Sequence, residues 1–166
     1  PKPQYGNPRP RVFRLEEDEA LINRLGFNNK GSDEISSRIA KNKPKGLLGI
    51  NIGPNKDSND RILDYVTCFK KFHDKADYIT INISSPNTEN LRDFHGRKGL
   101  TELITAINNE KKNQNSKIPI AVKISPDLND NQIEIVSETL LENNIEVAII
   151  SNSTDKNRDK LLNINK

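Results

Sequence analysis

The chain holds 166 residues, enough for one domain and too few for two at ~100 to 200 residues per domain. Hydrophobic residues make up 33% and charged residues 30%, and 26 Lys plus Arg against 23 Asp plus Glu leave a net charge of +3, so the charges nearly cancel and, with long apolar runs surviving, intrinsic disorder is excluded. Positive charge scattered among acids rather than gathered in a stripe excludes nucleic acid as a partner, and a single cysteine, Cys68, excludes a disulfide scaffold and fits a reducing compartment.

In chain order, Pro1 to Val12 carries four prolines among basic residues and reads as an extended arm or turn rather than a helix. From Leu15 to Leu25 the acids Glu16, Glu17, Asp18 and Glu19 precede Ala20, Leu21 and Ile22, the charge order expected at a helix start, and Gly26 stops it. A second helix is expected over Ser32 to Lys41, with Ile35 and Ile39 on one face. Four short runs rich in Ile or Val then read as strands: Leu47 to Ile52, Tyr78 to Ile83, Ile118 to Ile124 and Val147 to Ile150. Between them lie amphipathic stretches with helical spacing, marked by Ile62, Val66 and Phe69, then Leu100, Leu103, Ile104 and Ile107, then Ile133, Val136 and Leu140. Asn129 with Gln132 three residues on predicts a capping box for the last. Strands separated by helices pair in parallel, so the class is α/β, and the rhythm suits a doubly wound sheet or a (β/α) barrel equally.

No apolar run approaches the ~20 residues that span a bilayer and no signal peptide opens the chain, so the residues present are expected to be soluble. The opening at Pro1 without a methionine and the polar close at Lys166 read as a fragment or a processed product.

Each apolar run delivers a polar group at its C-terminal end: Asn51, Asn82, Lys123, and the pair Ser151 and Asn152. Their spacing is close to the ~31 residues obtained by dividing a ~250-residue barrel into eight βα units. In α/β folds that end of the strands is where ligands bind, and converging amides with an ammonium suit a ligand rich in carbonyl and imide groups with an anionic centre near the Lys. The chain holds 23 Asn, so Asn51 taken alone reads as well as a loop cap. Lys123 is flanked by Ala121, Val122 and Ile124 and reads as inward-facing and functional. The loop Ser84, Ser85, Pro86, Asn87, Thr88 follows directly on Asn82 and is dense in hydroxyls and amides, with Arg92 and His95 beyond it. A nucleophilic triad cannot be assembled there, since the two histidines, His73 and His95, read as surface or packing residues. There is no Walker loop, no dinucleotide fingerprint and no Cys or His metal spacing, and the two glycosylation-like strings at Asn82 and Asn152 are chance in an Asn-rich chain.

Four blocks carry a resemblance: Asn23 to Asn29 (NRLGFNN), Leu48 to Gly53 (LGINIG), Asn82 to Thr88 (NISSPNT) and Pro119 to Ile124 (PIAVKI), together with Pro8 to Pro10, Arg11, Phe13 and Arg14 of the arm. In their order and spacing these blocks resemble the dihydroorotate dehydrogenases, specifically the quinone-linked class 2 enzymes, over nearly all of the chain. The resemblance implies a partial TIM (β/α) barrel with about four of the eight βα units, residues 1–166 being the central part of a single FMN-binding (β/α)8 domain, incomplete at both ends. It implies FMN as cofactor and oxidation of dihydroorotate to orotate in pyrimidine (UMP) biosynthesis, with electrons passed to quinone.

By position in the family's motifs, Ser85 is the base, with Thr88 and Phe27 as its proton relay. Asn51, Asn82, Lys123 and Ser151 contact FMN. Asn23, Asn82, Asn87 and Asn152 hold the pyrimidine, with Ser153 a further contact, and Arg24, Leu25, Gly26 and Phe27 belong to the substrate loop. Ser151 and Ser153 stand where the family usually has Thr, and beyond Thr154 the sequence diverges. Strands on both sides and the N-terminal helical extension that meets quinone and membrane are absent from these residues, so the family's peripheral placement on the cytoplasmic side of the inner membrane rests on that extension. The 166 residues alone are expected to bind FMN poorly unless the polypeptide is longer or a second chain completes the barrel. A truncated or degenerate gene product, and a non-catalytic pyrimidine- or flavin-binding module, are the alternative readings.

Overall fold

The computed structural model describes residues 1–42, 44–84, 94–154, 156 and 158–162. The elements are β1 (Val12–Leu15), β2 (Ala20–Asn23), α1 (Ser32–Lys41), β3 (Gly49–Ile52), α2 (Arg61–Phe72), β4 (Tyr78–Asn82), α3 (Arg97–Asn113), β5 (Ile120–Lys123), α4 (Asp130–Glu142), β6 (Val147–Ile149) and a 3-10 turn at Arg158–Lys160. β3, β4, β5 and β6 form one parallel sheet in that order, with each crossover made by a helix. Among the described residues, no helix is long and apolar enough to cross a membrane.

The strands alternate strictly. Ile79, Ile81 and Ile83 of the β4 run, Ile120, Val122 and Ile124 of the β5 run, and Ile52 of β3 point to one face and are buried. There they pack on Tyr65, Phe69 and Phe72 of α2, Leu100, Leu103, Ile104 and Ile107 of α3, and Val136 and Leu140 of α4. The opposite face carries Asn51, Thr80, Ala121 and Val147 as one register layer, and Asn82, Lys123 and Ile149 as the next toward the C-terminal ends. Gly49 is required by a close approach on this face, because a Cβ there would stand 2.1 Å from Cζ of Tyr78.

The opposite ends of the strands are pinned by carboxylates. The Leu48 N–H donates to Asp77 Oδ2 at 2.7 Å, and the Ile120 N–H donates to Glu146 Oε2 at 3.0 Å while Lys111 Nζ reaches Glu146 Oε1 at 2.8 Å. The starts of α2 and α4 are capped by side chains: the Leu63 N–H donates to Asp60, and Asn129 and Gln132 form the reciprocal capping box that their spacing predicts.

The helix expected over Leu15 to Leu25 is instead an antiparallel hairpin, with Val12 paired to Asn23 and Leu15 to Ala20. The four acids form its turn: the Glu19 N–H donates to the Glu16 carbonyl at 3.2 Å, and Glu19 takes a positive φ of 46°. Four adjacent like charges sit at lower cost in a solvated turn than stacked on a helix face. The flanking residues have a stronger alternative in cross-strand contacts, with the Arg24 guanidinium over the Phe13 ring and the Arg24 N–H on the Arg11 carbonyl. The arm is extended as expected, and it is tied down by the bridge of Gln4 to Asn29 and by the Ser32 N–H on the Pro1 carbonyl.

This packing sets two outcomes apart. Leu103→Ala, at a position 0% exposed, is expected to destabilise the native polypeptide by about 2 to 5 kcal/mol, whereas Leu141→Ala, 77% exposed, changes stability by less than about 0.5 kcal/mol. Urea unfolding of the two variants side by side measures both, and equal costs would place the core elsewhere.

Candidate active site

The polar groups at the strand ends are linked. The Asn82 side chain is buried, 5% exposed, and its Oδ1 accepts from both the Ser84 N–H at 3.1 Å and the Ser84 hydroxyl at 2.6 Å. Asn152 Nδ2 donates to the Ser84 carbonyl at 3.2 Å, and Lys123 Nζ donates to Asn152 Oδ1 at 3.3 Å. Ser151 adjoins this set, its hydroxyl donating to the Asn152 carbonyl at 3.2 Å, and the Asn152 N–H extends the ladder onto the Ile124 carbonyl. Asn82, Lys123, Ser151 and Asn152 are therefore one cluster, built from β4, β5 and the segment after β6.

Asn51 sits one layer lower on the edge strand β3 and is exposed. It meets Asn82 and Phe27 at a cavity of about 380 Å³ whose walls also include Gly53, Ile50, Ile52, Cys68 and Phe72. The Cys68 thiol is pushed up by burial, which keeps it protonated and unreactive.

Phe27 reaches that cavity through backbone geometry. Gly26 and Phe27 both take positive φ, 70° and 52°, and the Phe27 carbonyl accepts from Asn29 Nδ2 at 2.7 Å and Gln4 Nε2 at 3.3 Å. Gln4 also accepts from the Lys56 N–H at 2.7 Å, so the arm joins the Phe27 loop to the loop after β3. Asn23, Arg24 and Leu25 behave differently. The Arg24 guanidinium donates twice to the Pro10 carbonyl, the Leu25 N–H turns back on Asn23 Oδ1, and among the described residues none of their hydrogen bonds reaches the strand-end cluster. Ser153 is exposed. Ser85, Asn87 and Thr88 lie outside the described residues. His73 stacks on Phe69 at the end of α2 with ring centroids 5.8 Å apart, and His95 is buried just before α3.

The family model described as dihydroorotate dehydrogenase matches residues 1–166. The chain belongs to the dihydroorotate dehydrogenase family. Relatives named dihydroorotate dehydrogenase (quinone) from Bartonella tribocorum and Rhizobium johnstonii are each 48% identical over 158 residues, covering 93% of this chain and 44% of theirs. Among solved structures, the dihydroorotate dehydrogenase of Eimeria tenella in complex with ferulenol matches with a TM-score of 0.91 at 34% identity, over 98% of this chain and 50% of that one. The ligand-free form from the same organism gives a TM-score of 0.88 at 36% identity. The chain spans about half the length of the curated relatives it matches. The parallel sheet with its helices is accordingly about half of the TIM barrel of this family, which removes the doubly wound alternative.

Two contributors to this strand-end cluster do not stand out in the sequence. Ser84, one of two adjacent serines in the loop, accounts for both bonds to Asn82 Oδ1. Tyr65 lies one turn before Phe69 on the buried face of α2, and its hydroxyl donates to the Asn82 carbonyl at 2.6 Å. A tyrosine within an apolar helix face is the available signal, because its buried O–H must find an acceptor.

Burial pushes the Tyr65 phenol well above its ordinary value of 10.0, with Arg61 opposing and Cys68 adding to the rise. Below pH 10 both folded and unfolded chains hold this proton; above it the unfolded chain releases the proton and the folded chain does not, so stability is lost as pH rises. Wild type is expected to lose about 1.4 kcal/mol more per pH unit above pH 10 than Tyr65→Phe. Urea unfolding at pH 9 and 11 reads this, and parallel slopes would mean that the phenol titrates in the folded state.

Proposed function

We propose that the native polypeptide carrying these residues is an FMN-dependent dihydroorotate dehydrogenase that oxidises dihydroorotate to orotate in pyrimidine biosynthesis and passes the electrons to quinone. Residues 1–166 then form the central part of a single FMN-binding (β/α)8 barrel domain. The observation that carries this reading is the linked cluster of Asn82, Lys123 and Asn152 at the C-terminal strand ends, in a chain belonging to this family. The quinone step, and peripheral attachment at the cytoplasmic side of the inner membrane through an N-terminal extension, draw support from relatives named for quinone.

The donor set fits FMN. Asn51, Asn82, Lys123 and Ser151 bring amide, ammonium and hydroxyl donors to one end of the sheet, and Asn82 Oδ1 is committed to Ser84, so that side chain offers its N–H2 group to a ligand. Beside it the space is open: a Cβ added at Gly53 would have only the Asn82 carbonyl near it, at 4.0 Å. When bound, FMN supplies the acceptor for the hydride of the dihydropyrimidine ring.

The chain's own residues do the rest. Asn82 and Asn152, with Asn23 and Asn87, present amide donors and acceptors that complement ring carbonyls and imides. Lys123, whose ammonium donates to Asn152 Oδ1, would stand beside the flavin and stabilise negative charge in its reduced form. By motif position Ser85 would take the ring proton as its own hydroxyl proton passes to the Thr88 hydroxyl and on to solvent, with Phe27 as the apolar neighbour of that relay. Arg24, Leu25 and Gly26 would belong to the substrate loop and Ser153 would add a further substrate contact; the two hydrogen bonds of Arg24 to the Pro10 carbonyl support a part for it in shaping the turn at Gly26 and Phe27.

In the native polypeptide, Ser85→Ala is expected to lower dihydroorotate-driven dye reduction by about 100-fold or more while the FMN content per chain stays at the wild-type level. Full turnover in that variant removes Ser85 from the reaction. Lys123→Ala, by contrast, is expected to reduce FMN content itself, read from the flavin absorbance of the purified protein.

A further inference from the structure

The Asn82 carbonyl closes the β3–β4 ladder in an unusual way. Asn51 pairs with Thr80 and Ile52 with Ile81, so the next step sets Gly53 level with Asn82. The Ile83 N–H faces β5, where it donates to the Lys123 carbonyl at 3.2 Å, so the preceding carbonyl, that of Asn82, faces β3. A parallel ladder takes the donor for that carbonyl from the residue after Gly53, and that residue is Pro54, which has no N–H. A buried carbonyl left without a donor is costly. The vacant role is filled from the helix layer: Tyr65, 0% exposed on α2, donates its hydroxyl to this carbonyl at 2.6 Å.

We propose that Tyr65 is a positioning residue for Asn82, its hydroxyl replacing the ladder donor that Pro54 lacks. The inference rests on the reading of Asn82 as a residue that holds flavin and pyrimidine. A backbone fixed at its carbonyl sets the direction of its side chain, and the Asn82 amide is in turn locked by Ser84. The same tyrosine ring meets Phe94 edge-on, with centroids 6.0 Å apart and planes at 87°, so α2 grips the chain both at Asn82 and at Phe94.

The test uses the native polypeptide loaded with FMN. Tyr65→Phe keeps the ring and its contact with Phe94 and removes only the donor; turnover of dihydroorotate is expected to fall about tenfold, with FMN content and secondary structure retained. Pro54→Ala restores a backbone N–H at the ladder position, and in the Tyr65→Phe background it is expected to recover most of the lost turnover, a response that lost packing would not give. Asn82→Ala is measured alongside, and adding Tyr65→Phe to it should cost nothing further. A turnover loss in Tyr65→Phe that Pro54→Ala leaves unrepaired assigns the tyrosine to packing and overturns the proposal. Full turnover in Tyr65→Phe beside a crippled Asn82→Ala overturns the positioning role alone. Full turnover in Asn82→Ala overturns the reading of Asn82 and the proposal with it.

Discussion

The period-two register of the parallel sheet is the constraint on which the site depends. Isoleucines and valines at alternate positions of β4 and β5 are buried against α2, α3 and α4, which sends Asn82 and Lys123 to the opposite face and to the same layer. A slip of one residue would put the amide and the ammonium among leucines and phenylalanines and turn the isoleucines outward, so the hydrophobic term forbids it. Asp77 and Glu146 reinforce the register from the other end, each accepting a backbone N–H at the start of a neighbouring strand. One end of the sheet thus carries the register-fixing carboxylates and the other the linked polar cluster, at the end where (β/α) barrels place their sites.

The arm and the hairpin supply the second level of organisation. Gln4 bonds to the Phe27 carbonyl and to the Lys56 N–H, Asn55 takes both the N–H and the carbonyl of Lys2 at 2.9 Å, and Asp64 on α2 accepts the Asn55 N–H. The proline-rich opening therefore works as a strut between the β3–α2 loop and the turn that carries Gly26 and Phe27. Proline suits that work because its fixed φ lowers the entropy lost when an irregular segment is ordered.

Much of this was legible in the sequence. The four strands, α1 over Ser32–Lys41 and the Asn129 capping box follow from periodicity and cap chemistry, since local pattern and tertiary packing agree at those places. The acidic run failed as a helix start because its flanking residues had partners that a window of the sequence does not contain: Arg11 and Pro10 for Arg24, and Phe13 for the Arg24 charge. Strand-end chemistry was readable as a set, though Asn51, Asn82 and Asn152 could not be ranked one against another in a chain with 23 asparagines. Burial and hydrogen bonding rank them, and both come from neighbours in space. The Tyr65 bond was hidden for the same reason, as it joins a helix to a strand end 17 residues away.

The burial gradient across the sheet says how much of the site this stretch organises by itself. Asn82 on β4, with a strand on each side, is buried; Lys123, Ser151 and Asn152 are half-buried; Asn51 on β3 is exposed. Among the described residues, β3 and β6 each have a strand on one side only, so their outer backbone groups and the side chains beside them lack a neighbouring wall. A polar group is preorganised in proportion to the partners that fix it, and here those partners concentrate on the middle of the sheet. The central amide and the ammonium are therefore held by contacts within these residues, whereas Asn51 and the walls around it depend on whatever pairs with the sheet edges.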